Sequence, residues 1–144
     1  MKDARRLEPL TSIASIRARD AARRLAGCVA EVEAKEIEAA RLREYLDDYR
    51  GMRNEARAVP SARWQSEQRF LAQLGEAVAL KERELARAAQ QLEEEYERWR
   101  KSHRSSKTLD EMLERYRSLE RHDRERLEQE DTEEALAARL SHDH

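Results

Sequence analysis

Chain breakers are scarce in this sequence. Three glycines and two prolines in 144 residues are too few to punctuate the turns of an ordinary globule. Cysteine occurs once, as Cys28, which excludes an internal disulfide and fits a reducing, cytoplasmic compartment. Long hydrophobic runs are missing too. The longest, Leu25–Ala30, is about six residues against the roughly 20 that a membrane span requires, so direct membrane insertion is not expected. A secretory signal is absent, and the arginine-rich start departs from a transit peptide in carrying Asp3, Glu8 and Asp20. Neither sign of charge dominates. The 29 Lys and Arg against 31 Asp and Glu leave a net charge of −2, which gives no electrostatic footprint for nucleic acid.

What remains is the material of long helices. Charged residues make up 42% of the chain and apolar ones 39%, a balance typical of coiled coils. Comparable charge occurs in disordered chains, but here the signs are mixed and the apolar residues are periodic. Trp64, Leu71, Val78, Leu85, Leu92 and Trp99 recur every seven residues. Leu74, Ala88 and, one residue offset, Tyr96 fall between them. Such a repeat places one stripe along one helix face and implies a supercoil with a partner helix. The first half carries a matching seam. Leu25, Val32, Ala39 and Leu46 hold one heptad position, and Ala21, Cys28, Leu42 and Tyr49 the other. Lys35 interrupts it, as register-fixing polar seam residues do. Leu7, Leu10, Ile13 and Ile16 extend the apolar face towards the N-terminus with some drift.

Pro60 is the clearest breaker, because the residue before a proline is pushed out of helical geometry. The expectation is a single all-α domain: helix one over about 3–57, a turn at about 58–62, and helix two over about 62–140. A short connection between amphipathic helices favours antiparallel neighbours. The fold class is therefore a long antiparallel two-helix coiled-coil hairpin, whose longer second helix projects beyond its partner after about Leu119. At Ser102–Thr108 the seam residues vanish. Thr108 and Glu111 have the spacing of a capping box, but charge pairing resumes at once and a continuous helix is the expectation. The signs also segregate. Residues 1–30 hold seven basic and three acidic side chains, and residues 123–134 hold seven acidic and two basic, so the two ends are biased towards different contacts.

No constellation for chemistry emerges. The glycines (Gly27, Gly51, Gly75) are isolated, so no phosphate loop exists. His103, His122, His142 and His144 lack metal-site spacing. Cys28 lies on the seam, where a small apolar residue is wanted. A thin coil has no cavity to desolvate its many carboxylates. Neither catalysis nor a cofactor is expected. One edge of the coil is unusual. The positions flanking the seam, normally charged as Arg43, Arg50 and Glu82 are on the other side, here include Tyr45 and Phe70, backed by Leu42, Tyr49 and Leu74. Two readings are open: a protein-binding strip, or rings folded over the seam that merely thicken it.

The same residues carry a family resemblance. Leu42-Arg-Glu-Tyr-Leu-Asp-Asp-Tyr49 and Phe70-Leu-Ala-Gln-Leu-Gly-Glu-Ala77 resemble the flagellar export protein family known as FliJ. The Leu7-Glu-Pro-Leu opening and the Arg/Glu-rich close from Tyr116 are similar as well. The resemblance implies a cytoplasmic component of the type III flagellar export apparatus, shaped like the stalk of a rotary ATP synthase. It implies insertion into the hexameric export ATPase ring, a link to the membrane export gate subunit, and contact with export chaperones. Residue by residue, it assigns the gate-contacting patch to Leu42, Tyr45, Tyr49, Phe70, Leu74 and Ala77. Glu38 and Lys81 depart from the family's glutamine and histidine, and their opposite charges are placed to pair across the hairpin. An injectisome-type stalk, or a generic coiled-coil adaptor, is the alternative; a neighbouring flagellar ATPase gene separates them.

Overall fold

The computed structural model describes residues 2–55 and 61–142, all of them helical. Helix α1 runs over Lys2–Glu55 and helix α2 over Ser61–His142. The sequence places helix one over about 3–57 and helix two over about 62–140, and most of the expected turn at about 58–62 lies outside the described residues. The helices run antiparallel and contact each other. Arg53 meets Glu67, Tyr49 meets Phe70, and Lys35 meets Glu84, the register that a reversal near Pro60 requires. Two compact units result: Ala21–Trp99, and a second that joins residues up to Asp20 with those from Arg100 onward.

In the Ala21–Trp99 unit, burial follows the heptads. Ala21, Ala39 and Leu46 of α1 are buried, as are Leu74, Val78 and Ala88 of α2. Leu25, Cys28, Val32, Leu71, Leu85, Leu92 and Trp99 are half-buried on the same stripes. Leu46, Leu74 and Val78 form the core cluster, with Leu42, Tyr49 and Leu71 against it. The expected place of Tyr96 is corrected: Glu95 occupies the seam position and is 8% exposed, whereas Tyr96 is 45% exposed. Strict seven-residue spacing from Ala88 lands on Glu95, and helix geometry overrides the hydrophobicity of its neighbour. Arg98 donates to Glu95 Oε1 at 2.9 Å, which offsets part of the cost of burying the carboxylate.

In the other unit, the apolar face differs from the one expected over Leu7, Leu10, Ile13 and Ile16. The seam consists of Ala4, Leu7, Thr11, Ala14 and Ala18, whereas Leu10, Ile13 and Ile16 are about half exposed. Small side chains keep the heptad register here, and buried Thr11 is satisfied by donating to the Glu8 carbonyl at 2.8 Å. Pro9 stands inside α1, where its lack of an N–H leaves the Arg5 carbonyl without its usual helical donor. On α2 the seam does not stop at the serines. Ser102 and Ser106 are half-buried at seam positions ahead of Leu109 and buried Leu113. Thr108 caps nothing: its hydroxyl donates to the Arg104 carbonyl at 2.9 Å within a continuous helix. From Arg121 to His142 every described residue is exposed.

Candidate binding edge

The six residues singled out from the sequence all lie in the Ala21–Trp99 unit, near the end of the hairpin, but not in one environment. Leu74 is buried, Leu42, Tyr49 and Ala77 are half-buried, and Tyr45 and Phe70 are exposed at 53% and 38%. The reason is heptad geometry. Leu42, Tyr49 and Leu74 occupy the seam, while Tyr45, Phe70 and Ala77 stand on the flanking row that borders solvent. Phe70 is only partly free. Its ring meets Tyr49 edge-on, with centroids 4.9 Å apart and an interplanar angle of 62°, a favourable aromatic geometry. Tyr45 is the more open anchor. Met52, one heptad beyond Tyr45 on the same flank and 68% exposed, lengthens the apolar strip. Heptad arithmetic alone identifies Met52, which is not aromatic and so does not stand out among charged flanking positions.

The strip lies between polar neighbours. Towards the helix ends, Arg53 contacts Glu67 at 3.7 Å and stands 5.8 Å above the Trp64 ring. On the opposite flank, Arg43 pairs with Glu82. Further along the strip's own flank, Lys81 reaches Glu38 and Glu84, each at 3.3 Å, and Lys35 reaches Glu84 at 3.4 Å and Glu38 at 3.6 Å. The pairing of Glu38 with Lys81 expected from the sequence is present, and it is part of a five-member network, because Lys35 also reaches Glu31 at 3.9 Å. Lys81 is shared between two carboxylates and Lys35 among three, which fixes the register of the helices where the seam itself carries Lys35 and Lys81.

This network titrates in a definite direction. Hydrogen bonding to Lys81, with a further bond to Lys35, holds the Glu84 carboxyl below its ordinary value. The bonds to Glu84 and Glu38 raise Lys81. A lowered carboxylate stabilises the fold above its unfolded pKa, and that contribution is lost as pH falls through the folded value. A raised lysine stabilises below its unfolded pKa and fades as pH rises through the folded value. The expected result is a plateau across neutral pH with an acid limb below the ordinary carboxylate range. Glu84→Gln should shrink that limb with a smaller loss at neutral pH than any buried seam leucine causes. Thermal melts of the variant and the parent between acid and neutral pH measure it, and an unchanged acid limb would count against the network.

Among the described residues, no group of three or more His, Cys, Asp or Glu side chains is placed to hold a metal ion. No helix among them is long and apolar enough to cross a membrane. No curated protein and no solved structure matches the chain. The model of the family described as "Flagellar FliJ protein" matches residues 1–144. A match over that whole span, on an antiparallel helical hairpin with heptad seams, places this chain in the FliJ family of flagellar export-related coiled-coil proteins.

Proposed function

We propose that the chain is a non-enzymatic, stalk-like component of the flagellar type III export apparatus. It links the hexameric export ATPase ring to the membrane export gate subunit and to export chaperones. It works on the cytoplasmic side, peripheral to the inner membrane at the flagellar base. Family membership supports the export setting. The observation that carries the linker reading is the exposed aromatic flank at Tyr45 and Phe70. Exposed rings beside a seam, where charge is the rule, are the residue type that dominates protein interfaces. The gate is assigned to this strip, formed by Leu42, Tyr45, Tyr49, Phe70, Leu74 and Ala77.

The ATPase is assigned to the other unit, where the arginines Arg5, Arg6, Arg17 and Arg19 at the start of α1 and the end of α2 from Arg121 are exposed. A helix that buries none of its residues on its own chain gains little from remaining helical unless a partner covers it. Ending the chain after Leu119 is therefore expected to weaken ATPase capture at least about tenfold, because the missing turns carry the contact. The Ala21–Trp99 unit should keep its helicity and its gate binding. Pull-downs with purified ATPase and with the gate subunit's cytoplasmic domain test both halves. Full ATPase capture by the shortened chain would move that contact elsewhere.

A further inference from the structure

One groove in the unit beyond Trp99 is not used by the export reading. It is about 310 Å³ and lies between Leu10, Ile13 and Arg17 of α1 and Lys101, Ser105 and Leu109 of α2. Its floor is open because Ala14 and Ser102, both small, hold the seam there. Leu10 and Ile13 on its wall are 51% and 47% exposed. The adjoining hollow adds Arg104 to the rim, and neither lining contains an acidic residue. An apolar cleft with a cationic rim fits an amphipathic helix of opposite charge.

That helix is present in the sequence. From Arg121 to His142 α2 is exposed throughout. Residues 123–134 carry seven acidic side chains against two arginines. Leu127, Leu136 and Leu140 are each about 60% exposed. Heptad phase sets Leu119, Glu130, Glu133, Leu136 and Leu140 on the same side of α2 as Lys101, Ser102 and Ser105. Supercoiled at the heptad period, α2 therefore presents cationic groove and acidic ridge on a single face. The two lie too far apart along it, roughly 40 Å, for the ridge to reach its own groove.

We propose that this groove binds the acidic end of α2, residues 121–142, from a second copy of the chain, in a two-fold symmetric dimer. An antiparallel pairing of the two α2 helices about an axis near Leu119 satisfies both grooves at once, as an isologous contact must. The two exposed Leu119 side chains meet at the axis. Leu136 then stands opposite Ser102, in the groove, and Glu130 and Glu133 stand beside the cationic rim. The same pairing covers the α2 segment assigned above to the ATPase, so self-association and ATPase capture compete. The inference does not depend on that assignment, and its test uses the protein alone.

The test is sedimentation of the full chain over a concentration series at low and high salt. The parent should pass from monomer to dimer, with weaker association at high salt because the contact is charged at its rim. Reversing the rim (Arg17→Glu with Lys101→Glu) should weaken dimerisation about a hundredfold or more, and so should reversing the ridge (Glu130→Lys with Glu133→Lys). Mixing the two variants should restore a heterodimer, because each groove again faces an oppositely charged ridge. Circular dichroism should show unchanged helicity in both, since all four side chains lie on the surface. A parent that stays monomeric to about 1 mM, the limit of a meaningful weak affinity, overturns the proposal. So does a dimer that either reversal leaves intact, or a mixture of the two variants that fails to associate.

Discussion

Truncating Leu46 to alanine is expected to lower the unfolding free energy by about 2–3 kcal/mol, near the bottom of the range for buried leucines. Leu46 is 5% exposed and forms the core cluster with Leu74 and Val78. Its loss removes contacts to both and opens a gap against Leu42, Tyr49 and Leu71. The low end applies because no side chain among the described residues is completely enclosed, so the neighbours of a two-helix seam can relax or admit water. Even this is a sizeable share of the 5–15 kcal/mol that typically holds a folded chain together. The melting temperature should fall by roughly 5–10 °C. Leu127→Ala is the matched control. Leu127 has the same heptad phase as buried Leu113 but is 58% exposed, and its truncation should change stability by no more than about 0.5 kcal/mol. Urea titrations of both variants, followed by circular dichroism, measure the difference. Equal losses would mean that burial on this coil is not what the seam dictates.

The contrast between Leu113 and Leu127 also marks how far heptads can be read without coordinates. Seven-residue periodicity shows which residues share a face, and it placed the seam from Ala21 to Leu46 and from Leu71 to Leu92 where the structure has it. It does not say whether another helix lies opposite. Leu127 is exposed although Leu113, in the same phase, is buried. Where large apolar residues and strict phase disagree, phase prevails. Ile13 and Ile16 are exposed while Ala4 and Thr11 are buried, and Tyr96 yields its place to Glu95. Polar side chains can occupy the seam when a near neighbour satisfies them, as the Glu8 carbonyl satisfies Thr11 and Arg98 satisfies one oxygen of Glu95. Those bonds depend on rotamers, which composition and spacing do not encode.

The candidate edge was legible in part for the same reason. Phase alone puts Tyr45, Phe70 and Ala77 on one flank, and the Glu38–Lys81 pair follows from charge and register. The burial of Leu74 against Val78, and the contact of Phe70 with Tyr49, required the two helices in register. The sharing of Lys35 and Lys81 among several carboxylates is likewise a product of geometry: both lysines stand on the seam, and their ammonium groups must reach outward to the flanking glutamates.

Replacing Tyr45 and Phe70 together with alanine is expected to leave the hairpin folded while abolishing capture of the export gate. The two rings differ in what they do for the fold. Tyr45 is 53% exposed, so Tyr45→Ala alone should cost well under the loss seen for Leu46→Ala. Phe70 is 38% exposed and holds an edge contact to Tyr49. Its removal forfeits about 0.5–1.5 kcal/mol of aromatic contact together with part of its buried area. The double variant should therefore melt between the parent and Leu46→Ala. Binding should follow a different order. Exposed aromatic anchors typically cost about 2 kcal/mol or more each when truncated at an interface, a loss of at least about thirtyfold per ring. Leu46→Ala, which leaves both rings in place, should retain gate capture at temperatures where it is folded, and all three variants should still engage the ATPase. Pull-downs with the gate subunit's cytoplasmic domain, run beside thermal melts, separate the two effects, and swimming in soft agar reports the consequence in the cell. Normal gate capture by the double variant, or a melt as low as that of Leu46→Ala with binding lost in proportion, would reduce the strip to seam packing.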